Sequence, residues 1–231
     1  MQREIVLDTE TTGLDARNGD RLIELGCVEL YNRIPTGREF HAFINPEGQP
    51  VHPEAEAVHG ISGEFLLDKP VFRDVVGDFL EFIADDQLVI HNAPFDMGFI
   101  NMELERIDVA PVQMERVVDT LALARRKHPA GPNTLDALCK RYGIDNSVRT
   151  KHGAIVDALL LAEVYVELLG ERQADLGLGA AGTERQGHGG RIAAAGRPEP
   201  LPPRLTADEI AAHEAFIAGL GEKAIWLTYK T

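Results

Sequence analysis

Apolar positions recur in short runs along this chain before they recur at helical spacing. Residues 4–7, 22–30 and 40–44 are dense in Ile, Val, Leu or Phe and bounded by Gly, Pro or Asn, which predicts three strands before any long helix. Val71, Val75, Phe79, Phe82 and Ile83 then fall near a 3.6-residue period and predict a helix over 71–83, followed by a short buried strand over 88–90. Further helices follow: 94–107 opens with Pro94 in its first turn, 134–142 takes Asn133 as N-cap and Gly143 as its stop, and 155–169 is long and apolar-faced. Antiparallel strands succeeded by alternating elements predict an α/β fold built on a mixed sheet.

Composition then divides the chain. Seven of its 22 glycines lie between Gly177 and Gly196, and four of its 13 prolines between Pro198 and Pro203, so 177–204 reads as a disordered linker that cannot bury enough apolar surface to offset chain entropy. Beyond it, 205–220 predicts an amphipathic helix with Thr206 as N-cap and Ile210, Phe216, Ile217 and Leu220 apolar, followed by the aromatic run AIWLTY. No run approaches the roughly 20 apolar residues that span a bilayer, and the first ten residues carry acids where a signal peptide has its apolar core, so a cytoplasmic chain without membrane partners is expected. Cys27 and Cys139 sit among aliphatic residues and read as small buried hydrophobes.

Charge narrows the chemistry. With 23 Lys and Arg against 37 Asp and Glu the formal net charge is −14, which excludes a broad basic footprint for gripping nucleic acid. Residues 1–170 hold 16 of the basic and 29 of the acidic residues, so the acidity belongs to the folded part.

Several acids stand where elements end. Asp8 and Glu10 follow the apolar run IVL, and residues i and i+2 of a strand project to one face, so the two carboxylates lie side by side with no Lys or Arg next to them in sequence. Asp96 follows a buried strand and His91 and falls in the first turn of a helix, a position that also suits an acid for electrostatic reasons alone. His91 reads equally as a hydrogen-bonded interior histidine. His152 precedes the long last helix and Asp157 lies within it, and the two converge only if His152 sits on the preceding loop, where Gly153 makes the turn easy. Four carboxylates meeting on one rim could not all stay ionised alone, because two unit charges 4 Å apart cost about 4 kcal/mol at an effective dielectric of 20. Oxygen ligands select Mg²⁺ or Mn²⁺, and two such cations are a known arrangement for phosphodiester hydrolysis by water.

In order and type, Asp8 and Glu10, then Asp96, then His152 and Asp157 resemble the DEDDh family of 3′–5′ exonucleases. The runs VLDTETTGL, VHGIS, FLLDKP, VIHNAPFD, LDALCKRYGIDNS and HGAIVDALLLAEVY extend the resemblance over 3–169, towards the proofreading members that accompany bacterial replicative polymerases. The resemblance implies an RNase H-like mixed sheet flanked by helices and removal of the last nucleotide from a DNA 3′ end. It also implies two divalent cations: Asp8 would touch both, Glu10 and Asp157 the one on the nucleophile side, and Asp96 the second. His152 would take the proton of the attacking water, while Thr9, Thr11, Glu54, His59, His91 and Phe95 match positions that line or support the nucleotide pocket. Without the family context, VHPEAEAVHGIS reads as a surface turn.

The same resemblance divides the chain into an exonuclease domain at 1–170, a clamp-binding peptide and linker at 171–204, and a polymerase-binding segment with a flexible approach at 205–231. Gln173, Leu176 and Leu178 resemble the Gln-x-x-Leu-x-Leu peptides that dock on the bacterial sliding clamp. TADEIAAHEAFI resembles the segment that attaches such nucleases to the polymerase's catalytic (alpha) subunit, with Trp226 as anchor, and a small theta-like accessory subunit is a further expected partner. Tethering of this kind raises effective concentration without DNA contacts, which accommodates the acidic charge. Two other readings remain open on the sequence: an RNA-trimming enzyme of the same family, which has no use for two tethering peptides, and a catalytically silent scaffold, which has no use for all five motif residues.

Overall fold

The computed structural model describes residues 2–147, 149, 151–170 and 205–220. The chain divides into two units, Met1–Gly179 and Ala180–Thr231. Gln173, Leu176, Leu178 and Trp226, with the linker, lie outside the described residues.

The first unit is built on five strands in the order β3-β2-β1-β4-β5. β1 (Arg3–Thr11), β2 (Leu22–Tyr31) and β3 (Ile34–Phe43) form an antiparallel meander, and β4 (Gln87–Ile90) and β5 (Val117–Asp119) extend it in parallel beyond β1. The helices are α1 (Pro53–His59), α2 (Phe72–Ile83), α3 (Ala93–Arg106), α4 (Thr120–Lys127), α5 (Leu135–Tyr142) and α6 (Ala154–Leu169). The expected α/β mixed sheet with helices on its faces is therefore the observed one.

Strand alternation assigns the faces. Ile5 and Leu7 of β1, with Leu25 and Cys27 of β2, pack against Phe72, Phe79 and Ile83 of α2 and Ile100 and Leu104 of α3. Val6, Val28, Leu30 and Val89 point the other way and pack against Leu138 of α5 and Leu161, Val164 and Tyr165 of α6. Each fully buried side chain of this size contributes about 1.5–3 kcal/mol relative to exposure. Asp8 and Glu10 share the parity of Val6 and so emerge on the α6 face, whereas Thr9 faces α3.

Several boundaries differ from those the pattern predicts. β1 runs on through the acids to Thr11, because β2 pairs with it that far, Asp8 opposite Gly26 and Glu10 opposite Glu24. β3 begins at Ile34 rather than residue 40; its first half is exposed and interrupted by Pro35 and Gly37, so no apolar run marks it. Residues 53–59, which read as a surface turn, form α1, started by Pro53 and stopped by Gly60 at φ 76. β5 and α4 carry too short an apolar pattern to be foreseen. The N-cap of α5 is Thr134, whose side chain accepts from Ala137 N, while Asn133 is engaged by His128 and Arg141. Gly143, at φ 68, ends that helix as expected, and both cysteines are buried free thiols.

In the second unit α7 (Ala207–Gly219) has the expected Thr206 cap, completed as a capping box by Glu209. Leu205, Ile210, Phe216 and Leu220 are exposed along it. Among the described residues no helix is long and apolar enough to cross a membrane.

Candidate active site

The parallel strands β1, β4 and β5 end on one rim of the sheet, the edge where open α/β sheets place their ligands. Asp8 and Glu10 reach this rim from β1. β4 delivers His91 and Asn92, whose left-handed backbone (φ 66) turns the chain into α3 and sets Asp96 in the helix's first turn. Asp119, ending β5, holds this corner by accepting from Asn92 N at 3.1 Å and from Leu121 N at 3.0 Å. Thr9 donates to Asp96 Oδ1 at 2.7 Å, which joins the strand that carries two of the acids to the helix that carries the third.

The fourth acid depends on a glycine. A Cβ at Gly26 would lie 2.3 Å from the backbone of Ala154, so only glycine opposite Asp8 lets the start of α6 press against the sheet. Glu24, two residues earlier on the same face, accepts from Ala154 N at 3.1 Å and holds that helix end. Asp157 is thereby buried beside Glu10, and His152 lies on the loop before Gly153, the convergence anticipated for it. Glu10, His152 and Asp157 each present a ligand atom within 4.8 Å of the others.

These residues line a cleft of about 770 Å³ whose walls include Asp8, Thr9, Glu10, His91, Phe95, Asp96, His152 and Asp157. Leu14, 85 % exposed, stands at its edge and, with Phe95, is shared with an adjoining, more apolar groove of about 1080 Å³. Thr11, Glu54 and His59 belong to a neighbouring shell. Thr11 donates to Gly13 O at 2.6 Å, Glu54 is exposed in the first turn of α1, and buried His59 accepts from Ile61 N at 2.9 Å. α1 is nevertheless tied to the catalytic loop, since His152 N donates to Val58 O at 3.3 Å and Lys151 Nζ to Ala57 O at 3.2 Å.

Electrostatics mark the cluster as short of positive charge. Burial, then the charges of Asp96, Glu10 and Asp157, push the Asp8 carboxyl well above its ordinary range. Burial followed by Glu24, Asp157 and Asp96 raises Glu10 to about 8, and burial raises Asp96 to about 7 against the pull of Thr9. The cation that is present is Arg149, which sequence proximity does not reveal: its guanidinium donates to both oxygens of Asp157, to Asp136 Oδ1 at 2.6 Å, and to His152 Nδ1 at 2.8 Å. A donor at Nδ1 leaves neutral His152 protonated on Nε2. His91, in contrast, is an oriented neutral histidine, held by Thr120 Oγ1 at 2.9 Å and lowered in pKa by desolvation. Four close carboxylates offering only oxygen fit Mg²⁺ or Mn²⁺, and their raised pKa values identify a site whose charged form requires added cations.

Residues 5–165 match the exonuclease family. The chain is 56 % identical over 174 residues to the DNA polymerase III subunit epsilon of Rickettsia conorii, covering 74 % of this chain and 75 % of that protein. It is 43 % identical over 237 residues to the subunit of the same name from Escherichia coli K12, covering 97 % of each. Among solved structures, the nuclease domain of 3′hExo, a DEDDh family member bound to rAMP, matches with a TM-score of 0.64 at 14 % identity, over 73 % of this chain and 92 % of that one. Exonuclease X in complex with 5′ overhanging duplex DNA matches with a TM-score of 0.58 at 24 % identity, over 72 % and 91 %. Both share the RNase H-like fold described above.

Proposed function

The chain belongs to the exonuclease family, in the branch whose members are DNA polymerase III epsilon subunits, and on that premise we propose that it is a metal-dependent proofreading 3′–5′ exodeoxyribonuclease of the replicative polymerase. The observation that carries this reading is the meeting of Asp8, Glu10, Asp96 and Asp157 with His152 in one cleft. Asp8, Glu10 and Asp157 would hold one divalent cation, Asp8 and Asp96 a second. When bound, such a pair supplies an activated water and charge neutralisation at the leaving oxygen.

The remaining work falls to the chain's own side chains. His152, on a loop and open to the cleft, accepts the proton of the attacking water. Thr9 fixes the orientation of Asp96, and Glu24 with Gly26 fixes the helix that presents Asp157. His91 and Phe95 line the nucleotide pocket, with Leu14 offering an apolar surface to a base. Thr11, Glu54 and His59 support it through α1, whose hydrogen bonds to the His152 loop couple nucleotide binding to placement of the base.

Residues 1–170 act in this reading as the nuclease domain in the cytoplasm. Gln173, Leu176 and Leu178 serve as a clamp peptide within 171–204, and 205–231 with Trp226 as the polymerase attachment, leaving the nuclease domain to meet a small accessory subunit. The bare apolar residues of α7 suit burial against such a partner. Deleting 205–231 should abolish co-elution with the polymerase's catalytic subunit while sparing hydrolysis of free single strands; retained co-elution would refute the attachment.

The deciding experiment incubates the full chain with a 3′-mismatched DNA primer-template and the equivalent RNA primer, in Mg²⁺ or EDTA. Mg²⁺-dependent shortening of the DNA, with the RNA largely spared, is expected. Preferential shortening of RNA, or cleavage of neither, would overturn the reading.

A further inference from the structure

The cleft has a second wall that the catalytic chemistry leaves unused. Residues 120–151 contain seven basic residues and two acids, Asp136 and Asp145, within a chain of net charge −14. This basic stretch spans α4 and α5, and its residues Arg125, Gly131, Asn133 and Thr134 line the cleft together with the acids Asp8, Glu10 and Asp157.

Most of its cations have structural duties. Arg149 is bound to Asp157 and Asp136, and Lys127 donates to Glu167 O and Leu168 O at 2.7 and 3.0 Å. Arg141 donates to Asn133 Oδ1 and Pro132 O, and packs so tightly under Gly131 that a Cβ there would meet its Nη2 at 2.5 Å. With Asn133 Nδ2 donating to His128 O at 3.1 Å, the 128–134 loop is braced from beneath. Arg125 is the exception: it is exposed in the last turn of α4, and among the described residues no acid pairs with it.

We propose that Arg125, on the braced α4–α5 edge, holds a backbone phosphate of the single strand upstream of the nucleotide being removed. The inference rests on the exonuclease reading, because a strand cut at its 3′ end leaves the cleft in one direction only, upstream. Two exits adjoin the acids. The groove past Leu14 and Phe95 is lined by Met97, Phe99, Met102 and Met114, and by the acids Asp15, Glu105 and Asp108 against the single cation Arg17. Such a surface accepts bases and repels phosphates. The α4–α5 edge has the opposite character, so the strand runs with its bases towards Leu14 and Phe95 and its phosphates towards Arg125. Contact with one or two phosphates is compatible with the acidic chain, because the affinity it supplies is local and steeply salt-dependent.

The test measures binding of fluorescein-labelled oligothymidylate to the full chain by anisotropy in Ca²⁺, across a salt series, beside Mg²⁺-dependent shortening of the same strand. Arg125→Ala should weaken binding about tenfold at low salt and make the log–log salt slope shallower by roughly 0.7, the contribution of one phosphate contact on a single strand. Arg125→Lys should keep the wild-type slope, and Arg73→Ala, an exposed arginine on α2, should change neither quantity. Wild-type slope and affinity in Arg125→Ala, with an unchanged melting temperature, would overturn the proposal, as would an equal loss in Arg73→Ala. The binding readout does not need turnover, so a wild-type protein that binds with the expected Arg125 dependence yet shortens no strand would defeat the exonuclease reading alone.

Discussion

Two groups of buried carboxylates in this protein are built from the same residue types to opposite ends. Glu103 on α3, 1 % exposed, is gripped by Arg21 at 2.7 and 2.9 Å and by Arg106 at 2.6 Å, and it joins α3 to the start of β2. The acids at the sheet rim number four, and the one arginine among them, Arg149, donates to Asp157 alone of the four. At Glu103 the chain supplies the neutralising charge itself, and the result is a fastening. At the rim it withholds that charge and leaves a site that cations and a phosphate complete.

That contrast is broken most sharply at Asp8, which the proposed chemistry places between both cations. Asp8→Ala should reduce hydrolysis of single-stranded DNA to the limit of detection and leave the melting temperature in EDTA equal to or above that of wild type, since a buried carboxylate loses its like-charged neighbours. Residual Mg²⁺-dependent cleavage within tenfold of wild type would remove Asp8 from the site. His152→Ala comes next. Loss of a positioned proton acceptor should lower turnover by about 10² to 10⁴ with a much smaller change in KM, and steady-state kinetics that show only a KM effect would transfer the role to another group.

Glu103→Ala is the reciprocal variant. Removing it strands Arg21 against a buried surface, and breaking a buried pair of this kind costs about 3–5 kcal/mol, so urea denaturation should show a fall of that size in Mg²⁺ and EDTA alike. A loss below about 1 kcal/mol would mean that Arg21 finds sufficient compensation in Glu47, its exposed partner at 2.7 Å.

How much of this was legible in the sequence follows the same division between pattern and context. The strand period placed Asp8 and Glu10 on one face, and the helix signals placed Asp96 and Asp157 in first turns, because apolar periodicity on both sides fixes the register of each acid. The first half of β3 carries no such signal, being exposed and interrupted by Pro35 and Gly37, and β5 with three residues is too short to show a period. Arg149 belongs to a loop, where no periodicity operates, and its partners are set by how the loop folds over α6. Gly26 was the readable clue left unused: a glycine inside the buried strand LIELGCVEL marks a close approach, here that of Ala154.

The smallest effect expected is also the one that measures the shortage of positive charge directly. Glu10 has its carboxyl raised from an ordinary value near 4.5 to about 8 by burial and then by Glu24, Asp157 and Asp96. A carboxyl whose folded pKa exceeds its unfolded one binds more protons in the native state, so stability falls as pH rises between those two values. In EDTA, Glu10→Gln should therefore match wild type near pH 4.5 and gain on it up to pH 8, by at most about 1.4 kcal/mol per pH unit, with the gap level above that. Mg²⁺ should close the gap by stabilising wild type selectively at the upper end of this range. Melting curves for the two proteins across pH 4.5–9, with and without Mg²⁺, read both effects. A pH-independent gap in EDTA would mean that Glu10 is ionised without cost, and the rim would then be no more in need of cations than Glu103.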